Sequence, residues 1–123
     1  MKSLFSIQEV SQNTGVSTST LRYYENLKIL NPKRDQNNRR VYSSEDIEQI
    51  KCISKLRALT MPISQIVEYE ILKFNGQSSI IKRINILQDY IVFLKELNSK
   101  IEKDINTLEN RILRYQEEVS SIS

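Results

Sequence analysis

The spacing of apolar positions changes several times along the chain, and each change marks an element. Ser6-Ile7-Gln8-Glu9 has the form of a capping box: the Ser6 hydroxyl accepts from the Glu9 N–H, and the Glu9 carboxylate accepts from the Ser6 N–H. A short helix is predicted from Ile7 to about Thr14, with Ile7 and Val10 on one face. Gly15 follows where a helix end needs a left-handed residue, and Ser17 can cap again. A second helix then covers about Thr18 to Leu27, with Leu21 and Tyr24 inward and Thr18, Ser19, Arg22 and Tyr23 outward. Helix, tight turn and helix within so short a span is the helix-turn-helix spacing. An outer face of hydroxyls, a guanidinium and a phenol suits a nucleic-acid groove, because these groups reach phosphates and base edges.

Pro32 stops the second helix, and Asn37-Asn38 tolerates the positive φ of a hairpin turn. Two short strands around that turn would form a wing carrying Lys33, Arg34, Arg39 and Arg40. Ser43-Ser44-Glu45-Asp46 opens a third helix with caps and first-turn acids, running to about Leu59 through Ile47, Ile50, Ile53 and Leu56. Cys52 lies about 40° around this helix from Leu56, which places it on the buried side as a small hydrophobe. Pro62 permits a new start, and a fourth helix covers about Ile63 to Lys73. Residues 74–79 form a break.

Beyond the break the steps alternate three and four without a skip. The seam reads Ile84, Leu87, Ile91, Leu94, Asn98, Ile101, Ile105, Leu108, Ile112, Tyr115, Val119 and Ile122. Only Asn98 is polar, at an a position where Asn sets register at some cost in stability. A helix with such a stripe would expose it to water when alone, so a partner chain is expected. The chain is therefore mainly α: a winged helix-turn-helix head over residues 1–75 and a dimerisation coiled-coil helix over residues 76–123.

Composition narrows the function classes. The net charge of +3 is unevenly spread: residues 1–60 hold ten Lys/Arg against six Asp/Glu, and residues 61–123 hold eight against nine. The front half is thus the candidate for phosphate contact. One Cys and no His leave too few ligands for a zinc site, and no disulfide can close within the chain. The lack of His, of a Gly-rich phosphate loop and of any Ser/His/Asp or Cys/His set argues against an enzyme, and no cofactor is expected. Neither a signal peptide nor a membrane span is evident, so the cytoplasm is the expected location.

The run Thr20-Leu21-Arg22-Tyr23-Tyr24-Glu25 resembles the signature of the MerR family of transcription regulators. Thr14-Gly15-Val16-Ser17, Ile29-Leu30-x-Pro32, Arg40-x-Tyr42 and Asp46-Ile47 stand where that family has equivalent residues, and the resemblance spans residues 4 to about 70. It implies an antiparallel coiled-coil homodimer on a pseudo-palindromic promoter operator in double-stranded DNA. It also implies bending and untwisting of that DNA, with RNA polymerase as a further partner on the bacterial nucleoid. Carried over, Arg22 and Tyr23 would face the major groove or its phosphates, and Ser17, Thr18 and Thr20 join them as DNA-contact candidates on the chemistry of their hydroxyls. Arg40 would be the wing's phosphate ligand and Tyr42 would support the wing or donate to phosphate, while Arg34 and Arg39 are phosphate-ligand candidates on their charge.

The sequence departs from the family pattern in places. Lys28 and Thr60 stand where the family commonly has Gly, which bears on local backbone geometry, and Asn38-Arg39 replaces a usual Gly-Tyr in the wing. The long helix has no Cys near its end, as metal-sensing relatives do, and no effector site is recognisable. An architectural or excisionase-like DNA-bending protein would use the same head and is the alternative reading. A pure coiled-coil interaction protein would show no salt-sensitive DNA binding.

Overall fold

The computed structural model describes residues 3–122. Two compact units are formed, one up to Ile84 and one from Asn85 onward. In the first, a short strand β1 (Leu4–Phe5) precedes α1 (Ile7–Thr14) and α2 (Thr18–Asn26). The hairpin strands β2 (Lys33–Arg34) and β3 (Arg40–Ser43) lead into α3 (Ser44–Ala58) and α4 (Ile63–Lys73). A 3-10 turn (Gly76–Ser79) then opens α5 (Ile80–Ile122).

α1, α2 and α3 start where side chains satisfy their orphan N–H groups, whereas α4 starts after Pro62 without a side-chain cap. Ser6 and Glu9 close a full capping box on α1, and Ser43 and Asp46 close another on α3. Ser17 caps α2 by accepting from the Thr20 N–H at 3.1 Å. An eight-residue helix such as α1 is unstable by itself, so packing of its buried face holds it. Val10, Leu21, Ile29, Leu30, Ile50, Ile53, Met61 and Ile66 form the core, with Tyr24 beside them. Each buried aliphatic side chain contributes about 1.5–3 kcal/mol.

Helix ends are less ordinary. At the end of α2 the Ile29 N–H returns to the Tyr24 carbonyl (3.2 Å) and the Lys28 N–H to the Glu25 carbonyl (2.9 Å). At the end of α3 the Met61 N–H returns to Leu56 (3.3 Å) and the Thr60 N–H to Arg57 (2.9 Å). Both are Schellman motifs, which demand a left-handed residue at the position after the cap. Lys28 and Thr60 accordingly adopt φ of 63° each, where glycine is the unstrained choice. The sequence departures thus leave the turns intact and load them with strain.

Two features differ from the sequence expectation. Strand β1 has too few residues to show a period; it pairs antiparallel with β3 (Leu4 opposite Ser43, Phe5 opposite Tyr42), giving a sheet ordered β1-β3-β2. Cys52 is exposed, not buried. The buried stripe of α3 is Ile47, Ile50 and Ile53, centred on Ile50. Cys52 lies about 200° around the helix from that centre, and Leu56, only half-buried, is a misleading reference for the inner face.

α5 is a single helix of 43 residues, about 65 Å long at ~1.5 Å per residue. Along it Ile84, Ile91, Ile101, Ile105, Leu108, Ile112, Tyr115, Val119 and Ile122 are exposed, Leu87 and Leu94 half-buried, and Asn98 exposed. Among the described residues no helix is long and apolar enough to cross a membrane.

Candidate nucleic-acid interface

The candidate surface is built from the outer face of α2 and the adjacent wing. Inward Leu21 and Tyr24 fix the rotation of α2 about its axis, which turns Arg22 and Tyr23 out to solvent. Tyr23 keeps a tilted contact with the Tyr24 ring, centroids 6.4 Å apart, which restricts how its phenol can swing. Burial raises the Tyr24 phenol above its ordinary value, with Arg57 opposing the rise.

At the start of α2 the hydroxyls are mutually engaged. Ser17 Oγ donates to Thr20 Oγ1 at 2.8 Å and lies 3.1 Å from Ser19 Oγ. Ser17 therefore serves first as the helix cap, and Thr20 is half-buried behind it with Thr18. The first turn of α2 carries no acidic residue, so the partial positive charge of the helix N-terminus is left uncancelled for an anion.

The wing turn is shaped by Asp35. Its Oδ1 accepts from the N–H groups of Asn37 and Arg39, both at 2.9 Å, while its own N–H donates to the Arg39 carbonyl at 2.9 Å. Asn38 takes the left-handed conformation (φ 60°) that the turn needs, a role Asn tolerates better than most residues. This turn presents Arg39 to solvent and sets Arg34 opposite Arg40 across the two strands.

Two like charges directly opposite in a ladder repel. Glu25 of α2 offsets this repulsion: its Oε2 accepts from Arg40 Nε at 2.8 Å and its Oε1 from Arg34 Nη2 at 3.5 Å. Arg34 Nη1 also donates to the Asn38 carbonyl at 3.3 Å. One carboxylate thereby joins the helix and wing surfaces named from sequence into one. Sequence reasoning assigned Glu25 no role, since its partner Arg40 is distant along the chain; the available signal was an acid on the recognition helix amid a basic surface.

Tyr42 requires a correction. It is fully buried, and its hydroxyl has no hydrogen-bond partner among the described residues, so phosphate contact is not open to it in this conformation. Adjacent strand residues point to opposite faces, and Tyr42 takes the inward one while flanking the wing arginine. Of its two expected roles, support of the wing fits this burial. Burial raises its phenol above the ordinary value, with the Arg40 charge opposing the rise. Among the described residues no group of His, Cys, Asp and Glu is placed to hold a metal ion.

Comparison with known proteins adds the following. Residues 5–70 match the family model described as MerR HTH family regulatory protein. Over 125 residues the chain is 30% identical to the HTH-type transcriptional regulator YyaN of Bacillus subtilis (strain 168), covering 91% of each chain. It is 36% identical over 84 residues to the HTH-type transcriptional regulator AdhR of the same organism, covering 68% of this chain and 60% of that one. Its fold is similar to that of a MerR family transcriptional regulator from Listeria monocytogenes (TM-score 0.74, 24% identity, 96% of each chain). It is also similar in fold to HiNmlR, a MerR family regulator lacking the sensor domain, whose structure holds promoter DNA (TM-score 0.67, 20% identity, 92% of this chain and 86% of that one).

Proposed function

The chain belongs to the MerR HTH family of regulatory proteins, and we propose that it works as a homodimer that binds a pseudo-palindromic promoter operator and regulates transcription by bending and untwisting the duplex. Residues 1–75 serve as the DNA-binding head and residues 76–123 as the dimerisation segment. In each head α2 enters the major groove, with Arg22 reading base edges or gripping phosphate and Tyr23 bonding phosphate. The wing arginines Arg34, Arg39 and Arg40 flank it on the backbone. Two α5 helices pack antiparallel along the exposed seam, so that the two heads meet successive half-sites. The reading places the protein on the nucleoid in the bacterial cytoplasm, with RNA polymerase as its neighbour at the promoter.

The observation that carries this reading is the bonding of the wing arginines to the recognition helix through Glu25. A basic patch held to the helix that bears Arg22 and Tyr23 is a composite surface, and solvated charges scattered on a helical head have no need of such a tie. The exposed seam of α5 supports the dimer, because so long an apolar stripe is stable in water only when covered.

Selection of genomic fragments by the purified protein, followed by footprinting at two salt concentrations, tests the proposal. The expected result is a salt-sensitive footprint over a pseudo-palindrome within a promoter spacer. Protection at recombination junctions would favour an accessory DNA bender, and binding without sequence preference would overturn the regulatory reading.

A further inference from the structure

We propose that Glu25 is the positioning residue of the DNA interface: it aligns Arg34 and Arg40 so that their unused donors engage phosphates in register with the base contacts of α2. The inference rests on the DNA-binding reading above. An acid here is costly on electrostatic grounds, because a surface that approaches phosphates loses attraction with every carboxylate it carries. Glu25 nonetheless sits between the recognition helix and the wing, with side-chain exposure of only 20%, and both its oxygens are used by wing arginines.

The donor count shows why this arrangement leaves the arginines functional. A guanidinium has five N–H donors. Among the described residues Arg40 spends only its Nε–H, on Glu25 at 2.8 Å, so all four donors on its terminal nitrogens stay available to a ligand. Arg34 spends one donor on Glu25 and one on the Asn38 carbonyl, which leaves three. Both side chains therefore keep the planar fork that grips a phosphate through two bonds. Their partial exposure, 40% for Arg34 and 24% for Arg40, opens that fork to a ligand. Both arginines line a groove against Ser6, Ile7 and Gln8 at the start of α1, together with Arg39. A free arginine loses rotamer entropy when it meets phosphate, and one already held by a carboxylate has lost most of it beforehand.

Arg34, Arg39 and Arg40 line the groove, Glu25 bonds two of them, and the buried Tyr42 phenol feels the charges of Arg40, Glu25, Asp46 and Arg22. Removing the Glu25 charge while retaining its shape separates two effects. On charge alone, Glu25→Gln tightens binding to every duplex. As a positioning residue, its loss weakens binding to the operator and leaves binding to unrelated DNA unchanged or tighter.

The test measures fluorescence anisotropy of the full-length protein with two duplexes of equal length, the fragment recovered by genomic selection and a scrambled version of it. For Glu25→Gln we expect operator affinity to fall about tenfold or more, the scale of one lost charge-assisted contact. The ratio of operator to scrambled affinity should fall with it. The slope of log affinity against log salt should become shallower by about one to two, as two arginines leave their phosphates. Arg40→Gln alone and the double variant complete a cycle: the double variant should lose much less than the product of the two single losses, because Glu25 acts through Arg40. A thermal melt confirms that each variant is folded, and Glu25→Asp provides a carboxylate variant should Glu25→Gln fail to fold, with partial retention of selectivity expected. Operator affinity equal to or tighter than wild type with an unchanged salt slope overturns the proposal, as do losses that simply multiply in the cycle. Wild-type protein that fails to distinguish the two duplexes overturns the sequence-specific regulatory reading instead, so the two failures are distinct.

Discussion

Thr60 is a β-branched residue in a left-handed conformation, and replacing it with glycine should stabilise the protein. The Schellman motif at the end of α3 requires φ near 63° at this position, because Thr60 and Met61 must both return their N–H groups to α3. An L-residue in this region carries a cost of about 1–2 kcal/mol from its Cβ against the backbone, and β-branching places Thr toward the upper end. Glycine relieves that cost and brings another: a more flexible unfolded chain, about 0.4–1 kcal/mol. The net expectation for Thr60→Gly is a gain of about 1 kcal/mol, or a melting temperature higher by about 4–8 °C for a domain of this size. Thr60→Ala is the control, since it keeps the Cβ and should gain much less. Urea unfolding at matched protein concentration provides the assay, with the m-value required to stay constant. A Thr60→Gly protein no more stable than wild type, or one matched by Thr60→Ala, would refute the claim that strain is stored here.

Three further outcomes are expected. Arg22→Ala should weaken operator binding by about 1–3 kcal/mol and relax base preference, and unchanged discrimination in a binding assay would remove Arg22 from the base-reading set. Ile105→Glu places a charge in the middle of the α5 seam and should give monomers in analytical ultracentrifugation; a dimeric variant would contradict the seam as an interface. Glu70 is fully buried on α4, with Lys73 Nζ at 3.0 Å, and burial raises its carboxyl above the ordinary range despite that lysine. The folded protein thus holds its proton more tightly than the unfolded chain, so the stabilisation is full below the unfolded value and is lost as pH rises through the raised one. Glu70→Gln should remove this dependence and become progressively more stable than wild type as pH rises through that window, and parallel urea-stability curves for the two proteins would count against it.

Local signals were the legible part of this fold. Capping residues and apolar spacing located α1 to α3 closely and Pro62 located the start of α4, because those cues lie within a few residues of the helix they begin. The wing was readable from Pro32 and the Asn pair for the same reason, although only Asn38 takes positive φ. What escaped depends on distant partners. β1 exists because β3 is there to pair with it, and Tyr42 is buried by the sheet packing of an aromatic that sequence also allows at a surface. Cys52 was misplaced because a helical wheel needs a correct inner reference, and the half-buried Leu56 is not one. The outward direction of Arg22 and Tyr23 followed from inward Leu21 and Tyr24, whereas the two-armed use of Glu25 could emerge only once α2 and the hairpin were side by side.

The bond between Glu25 and the hairpin has a consequence for protein engineering. A recognition helix is commonly treated as a cassette whose transfer carries its preferences into a new scaffold. In this protein the cassette has no clean edge: Glu25 lies within α2, while Arg34 and Arg40 that complete it belong to the hairpin. Transplanting α2 alone would deliver Glu25 without the wing arginines that meet it, and a graft of the hairpin alone would bring those arginines without their carboxylate. The smallest portable piece of this head is the continuous segment from Ser17 to Tyr42, helix and hairpin together.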